Sequence, residues 1–255
     1  MDNLSLSEIK KFLDEKYEIY NRPEFVENDP ISIPHSFNSK EDIEISAFIT
    51  SCIAWGQRKS IVKNAYYFMK LMDNSPYDFV INHSDEDLRV LDKAVHRTFN
   101  GEDLKYFVNS LKNIYLNYGG LENLFCGYDD LKDALINFYK IFFDKKEVKL
   151  RTRRHVSNVE SGSAAKRLNM FLRWMVRNDG RGVDLGIWKN IPPAKLYIPL
   201  DVHSGRISRM LGILKRTQND WKAVEELTNI LRFFDPEDPV KYDFSLFGLG
   251  VNEKF

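Results

Sequence analysis

Along most of the chain apolar residues recur three and four positions apart, the period of a helix with one face in a core. Alternating runs closed by Asn-Gly or Asp-Gly turns are few. The pattern predicts an all-α protein in which no strand is required. A first helix is expected over residues 5 to 20, then an extended connection in which Pro23, Pro30 and Pro34 forbid continuous helix. Residues Asp42 to Trp55 are apolar nearly all round, which marks a buried central helix ending at Gly56. Ser60 to Met72 reads as its amphipathic partner. Ser84 to Leu91 and Gly101 to Tyr118 read as two more helices separated by HRTFNG, and residues 121 to 143 complete an aromatic-rich half. The expected organisation is an N-terminal helix and connection (1–41) packing on the C-terminal lobe, a helical lobe (42–150), a second helical lobe (151–255), and a cleft between the lobes.

The stretch SGSAAKRLNMFLRWMVR, residues 161 to 177, is the most informative of the second lobe. Ser161 or Ser163 is placed to cap a helix whose apolar stripe is Leu168, Phe171, Leu172, Met175 and Val176. At about 100° per residue, Lys166, Arg173 and Arg177 stack opposite that stripe as a cationic ridge. Lys166 is either a solvated charge or a nucleophile. The positive end of its helix dipole and the neighbouring arginines both disfavour an ammonium there, which is what an amine nucleophile needs. Downstream, IPLDVHSGRISRMLGIL (198 to 214) sets Asp201 as an N-cap before a helix with Ile207, Met210, Leu211 and Leu214 on its apolar side. His203, Arg206 and Arg209 form a second basic edge.

Composition changes the picture only locally. The 37 basic and 37 acidic residues of the 255 cancel, so net charge argues for no partner class. Residues 145 to 181 nevertheless carry eleven basic side chains, including Arg151, Arg153 and Arg154, against three acidic ones. Such a run is a solvated surface or a phosphate contact. Cys52 and Cys126 are far apart and read as reduced core thiols of a cytoplasmic protein. The histidines never fall at metal-ligand spacing, so neither a metal nor another cofactor is called for. The N-terminus lacks a secretory pattern, and no stretch has the length of a membrane span, so no membrane partner is expected. The oligomeric state has no signature in the sequence.

With those residues in view, PLDVHSGRISRMLGIL resembles the aspartate-bearing stretch of the helix-hairpin-helix DNA glycosylase superfamily, whose members remove damaged bases. FITSCIAWGQRKS (48 to 60) looks like that superfamily's early core helix and the turn that lies against DNA. The resemblance implies that Asp201 is the catalytic carboxylate, with His203 and Arg206 as companions, and that Gln57 and Arg58 meet DNA. The usual hairpin is absent: Gly180, Gly182 and Gly186 occupy the interval with no lysine at the usual separation, whereas Lys166 lies 35 residues before Asp201. That separation is similar to the archaeal 8-oxoguanine glycosylase branch, so the resemblance implies Lys166 as a Schiff-base nucleophile, with GSAAKR as a degenerate hairpin. The implied partner is duplex DNA with a damaged base. The implied phosphate contacts are Arg151, Arg153, Arg154, Arg173 and Arg177. Base-pocket walls are expected from Trp55, Trp174, Trp188 and Phe247, with Asp243 as a further base contact. AWGQR, HRTFNGEDL, IPLDVH and DPVKYDFSLFGLG also resemble a bacterial family of this length with no assigned function. Two other readings stay open: a non-catalytic DNA or RNA binder of the same fold, and a protein-interaction or small-molecule module.

Overall fold

The computed structural model of the chain describes residues 4–144 and 148–253. Lys145, Lys146 and Glu147 of the basic run lie outside the described residues. Two compact units form, one of the residues up to Phe25 with those from Asn158 on, the other of Val26–Ser157. The boundaries expected at 41 and 150 therefore fall at 25 and 157.

The first helix, α1 (Leu6–Tyr20), begins at a reciprocal cap between Ser5 and Glu8 and buries Ile9, Leu13 and Tyr17. A single turn, α2 (Glu24–Glu27), follows. The proline-rich connection then forms two short 3₁₀ turns, Pro30–Ser32 and Pro34–Ser36. Its Ile31 and Ile33 are buried in the second unit, which is why this segment leaves the first.

In Val26–Ser157 the helices are α3 (Lys40–Cys52), α4 (Arg58–Leu71), α5 (Pro76–Asn82), α6 (Asp87–Val90), α7 (Gly101–Tyr118), α8 (Leu131–Phe142) and the single turn α9 (Leu150–Arg153). Every residue of α3 from Ile43 to Cys52 is buried, as its all-round apolar pattern predicts. Phe48 on α3 stacks on Phe107 of α7 at 5.7 Å between ring centroids and meets Phe138 of α8 edge-on at 5.4 Å. Truncating such a side chain costs about 3 to 5 kcal/mol.

HRTFNG, read as a separator, contains a small antiparallel hairpin, β1 (Val95–His96) with β2 (Phe99–Asn100). Two residues per strand are too few for alternation to register. Arg97 makes its turn at φ 56°.

The other unit adds α10 (Lys166–Val176), α11 (Val202–Met210), α12 (Trp221–Phe234) and α13 (Tyr242–Asn252) to α1. Helix α13 is sandwiched between α1 and α11, and glycines permit the close approach. A Cβ at Gly248 would come within 2.3 Å of the Tyr20 ring, and one at Gly250 within 2.7 Å of the His203 Cβ. Among the described residues the fold is thus all-α apart from the hairpin, and no helix is long and apolar enough to cross a membrane.

Candidate active site

Lys166 is the first residue of α10, and the turn before it differs from the serine cap expected. The N-cap is Ala165, held at φ 47° and ψ 35° with no side-chain capping bond. A non-glycine residue there costs roughly 1 to 2 kcal/mol. Ser163 accepts the Ala165 N–H at 3.3 Å instead. The turn is fixed from behind, where the Trp221 N–H donates to the Gly162 carbonyl at 3.0 Å and Ser163 bridges to Asp220. Lys166 itself is half-buried and has no hydrogen-bond or ion-pair partner among the described residues.

Asp201 caps α11 as its position before the apolar rhythm predicts. Its Oδ1 accepts the Ser204 N–H at 2.8 Å and the Ser204 hydroxyl at 3.1 Å, while Ser204 Oγ accepts the Asp201 N–H at 2.9 Å. The other carboxylate oxygen takes no hydrogen bond among the described residues.

The two residues meet electrostatically at a third. Asp243, in the first turn of α13, is buried and accepts from Arg173 Nη1. Burial is the main reason its carboxyl is pushed up to about 6. Arg173 opposes that, the Asp201 carboxylate adds to it, and the Lys166 ammonium works against it. The bond from Arg173 does not cancel the cost of ionising a carboxyl with so little access to water, with Asp184 also nearby. Lys166, Asp201 and Asp243 thus share one electrostatic environment at the starts of three helices.

Arg173 and Arg177 are not a water-facing ridge. They are 4 % and 1 % exposed, because the second half of α10 is buried on all sides and carboxylates from distant segments neutralise it. Arg173 Nε donates to Asp184 at 3.1 Å. Arg177 donates to Asp238 at 2.8 Å, Asp184 at 3.1 Å, Asp179 at 2.9 Å and the Tyr17 hydroxyl at 2.6 Å. Burial works against the Arg177 charge, but these partners keep it protonated. Burial likewise raises Asp179, yet the Tyr17 hydroxyl and Arg177 bring it down to about 2. Neither arginine can reach a phosphate, so their assignment as DNA contacts is corrected.

The interval between Lys166 and Asp201 explains part of this. Gly180, Gly182 and Gly186 all take positive φ. The N–H groups of Leu185 and Gly186 donate to the Trp174 carbonyl at 2.9 and 3.1 Å, folding the loop onto the end of α10 and delivering Asp184. Trp174 and Trp188 are 0 % and 1 % exposed and belong to the core, Trp188 edge-on to Phe171 at 5.4 Å. As base-pocket walls they are ruled out by enclosure. Phe247 remains half-exposed, edge-on to His203 at 6.1 Å. His203 Nδ1 lies 3.2 Å from the Gly250 carbonyl, to which Arg206 also donates at 3.4 Å, so both exposed side chains are tied to the end of α13.

The remaining expected residues belong to Val26–Ser157. Gln57 is exposed at the N-cap of α4 and makes no capping bond. Arg58, also exposed, lies 4.0 Å from Asp29. Trp55 is half-buried, and the Arg97 guanidinium stands 4.7 Å over its ring. Arg151 donates to Asp103 at 2.8 Å and to the Thr98 carbonyl at 3.1 Å, so its charge is engaged by the fully buried Asp103 rather than free for a phosphate. Arg153 donates to the Phe143 carbonyl at 3.3 Å and lies over that ring, and Arg154 is exposed. Sequence reasoning missed Asp184, Asp238 and Asp103 as acceptors and Arg97 as the cation over Trp55. The signal for Asp103 was its place three residues after Asn100, a reciprocal helix cap. Among the described residues no group of three His, Cys, Asp or Glu side chains could hold a metal ion.

The model of the family described as "Protein of unknown function (DUF2400)" matches residues 29–252, and the chain belongs to that family. No curated protein and no solved structure matches it.

Proposed function

We propose that the protein is a DNA base-excision glycosylase with lyase capacity, in which Lys166 is the nucleophile and Asp201 its partner. The observation that carries the reading is the shared environment of Lys166, Asp201 and Asp243: an unpaired amine at a helix start, a carboxylate with one oxygen uncommitted, and a buried acid that feels both charges. An amine without a partner beside two carboxylates is an arrangement that acid–base and nucleophilic chemistry uses.

In this reading a damaged base leaves the stack of duplex DNA. The Lys166 lone pair forms a bond to the anomeric carbon, and the glycosidic C–N bond breaks with its electron pair going to the base. Asp201 opposes the positive charge that develops on the sugar and takes the amine proton. Opening of the sugar leaves an iminium on Lys166, from which the strand can be cut. His203, Arg206 and Phe247, together at the α11–α13 contact, border the site.

The test is incubation with duplexes carrying 8-oxoguanine, uracil, alkylated purines or an abasic site, followed by borohydride. A lesion-dependent covalent band that disappears in Lys166→Ala supports the reading. No band with any lesion or with the abasic site removes Schiff-base chemistry from it.

A further inference from the structure

Helix α4 carries a feature that the chemistry at Lys166 does not use. Between Glu44 and Asp73 the chain has no acidic residue. Lys59, Lys63, Tyr66 and Lys70 follow one another at steps of four, three and four, which puts them within about 60° of one face of the helix. The opposite face, with Ile61, Ala65, Phe68 and Met69, is buried. Lys59 and Lys63 are exposed and have no ion-pair partner among the described residues, and Tyr66 is 58 % exposed between Lys63 and Lys70.

The hairpin adds a third such cation. Arg97, exposed at the β1–β2 turn, lies over Trp55 and likewise has no carboxylate partner among the described residues. Gly56 lets it lie beside the start of α4. With φ at 102°, a Cβ there would come within 2.8 Å of Arg97 Nη1. By contrast Lys40, Lys105, Lys149 and Arg151 of the same unit each have a carboxylate partner. The far end of α4 is bounded by acid, since Lys70 shares a surface depression of about 450 Å³ with Asp73, Glu86 and Asp87.

We propose that Arg97, Lys59 and Lys63, with Tyr66, form a track for the phosphate backbone of duplex DNA, ending where the acidic residues begin. Charge complementarity favours this occupant: three cations without internal partners stand on α4 and at the hairpin turn beside its start. Lys59 and Lys63 are about 6 Å apart along the helix, a span that covers about two phosphates of one strand. The exposed Tyr66, next after Lys63 on the same face, suits the sugar and base edges. The proposal rests on the DNA-binding part of the reading above but not on its covalent chemistry.

The experiment is fluorescence anisotropy of a labelled, undamaged duplex across a potassium chloride series, with the whole protein in the Lys166→Ala background. Lys59→Gln/Lys63→Gln/Arg97→Gln is compared with Lys11→Gln/Lys215→Gln/Lys222→Gln, which removes equal charge from exposed sites of the other unit. Each lost phosphate contact takes about 0.9 from the slope of log affinity against log salt. The track triple is expected to lose about 2 to 3 and the control triple nothing. Lys59→Gln/Lys63→Gln, which disturbs no packing, loses about 2 by itself. An unchanged slope in the track variants, an equal loss in the control, or binding to anionic phospholipid vesicles without binding to DNA would overturn the proposal. DNA binding with the expected slopes but no borohydride adduct in the unmutated protein would leave the track standing and remove only the lysine chemistry.

Discussion

Replacing Arg177 by Met separates a buried structural charge from a DNA contact. Arg177 is 1 % exposed and donates to Asp238, Asp184, Asp179 and the Tyr17 hydroxyl. Methionine keeps much of the apolar stem over Tyr17 and Phe244 but leaves three carboxylates without their shared cation. Asp184 is itself fully enclosed, and Asp238, raised by burial despite Arg177, already has one oxygen without a partner. Removing one member of such a buried set costs about 3 to 5 kcal/mol, because the charges left behind are uncompensated. At about 2 to 4 °C per kcal/mol for a chain of this size, the melting temperature falls by about 6 to 20 °C. Circular dichroism melting reads that change, and anisotropy at temperatures where the variant is folded reads its DNA slope, which is expected to match wild type. A variant that melts with the wild type yet loses about one unit of salt slope would refute the argument and return Arg177 to the phosphate-binding surface.

Three further outcomes follow from the site. The Asp243 carboxyl is raised from its ordinary value to about 6, so the unfolded chain releases this proton first and stability falls as pH rises from about 4 to about 6. Melting curves across that window should show the fall in wild type and lose this component in Asp243→Asn; identical pH dependence in the two would contradict it. Asp201→Asn keeps an acceptor for the Ser204 N–H and should melt close to wild type, whereas Asp201→Ala loses about 1 kcal/mol of cap; both should lower single-turnover base release by about 10² or more, and near-normal release in either would remove the carboxylate from the chemistry. Gly186→Ala meets a positive φ of 55° and places its Cβ 2.4 Å from Asn178 Cβ and 2.8 Å from the Arg177 carbonyl. It should cost more than about 1 kcal/mol by disturbing the loop that carries Asp184, and wild-type urea unfolding would sink that account.

Periodicity made the helices legible because each buries a face. The all-apolar run before Gly56 is the enclosed α3, and Asp201 before the rhythm of Ile207 and Leu211 is the cap of α11. What periodicity could not show was which charged faces are answered by distant carboxylates. The 100° arithmetic put Arg173 and Arg177 opposite an apolar stripe, but whether that opposite face meets water depended on Asp184, delivered by the glycine loop, and on Asp243, 70 residues from Arg173. The same limit hid Asp103 behind Arg151 and Thr152, nearly 50 residues apart. Ala165 is illegible for another reason: nothing in GSAAKR forces a left-handed alanine, and the turn is set by Trp221 and Asp220 from across the unit. Lys166 and Asp201 stood out in the sequence through resemblance and helix-start chemistry, while their common link to Asp243 needed the packing of α11 against α13.

The central claim, that the amine of Lys166 attacks the sugar, is tested most directly by locating the adduct. After borohydride reduction of the protein with a lesion duplex that it accepts, the DNA is trimmed by nuclease, the protein is digested, and the peptides are sequenced by mass spectrometry. The account predicts the reduced sugar remnant on Nζ of Lys166 and on no other lysine. An adduct on another lysine or on the N-terminal amine, or cleavage of the lesion strand with Lys166 unmodified, would contradict it.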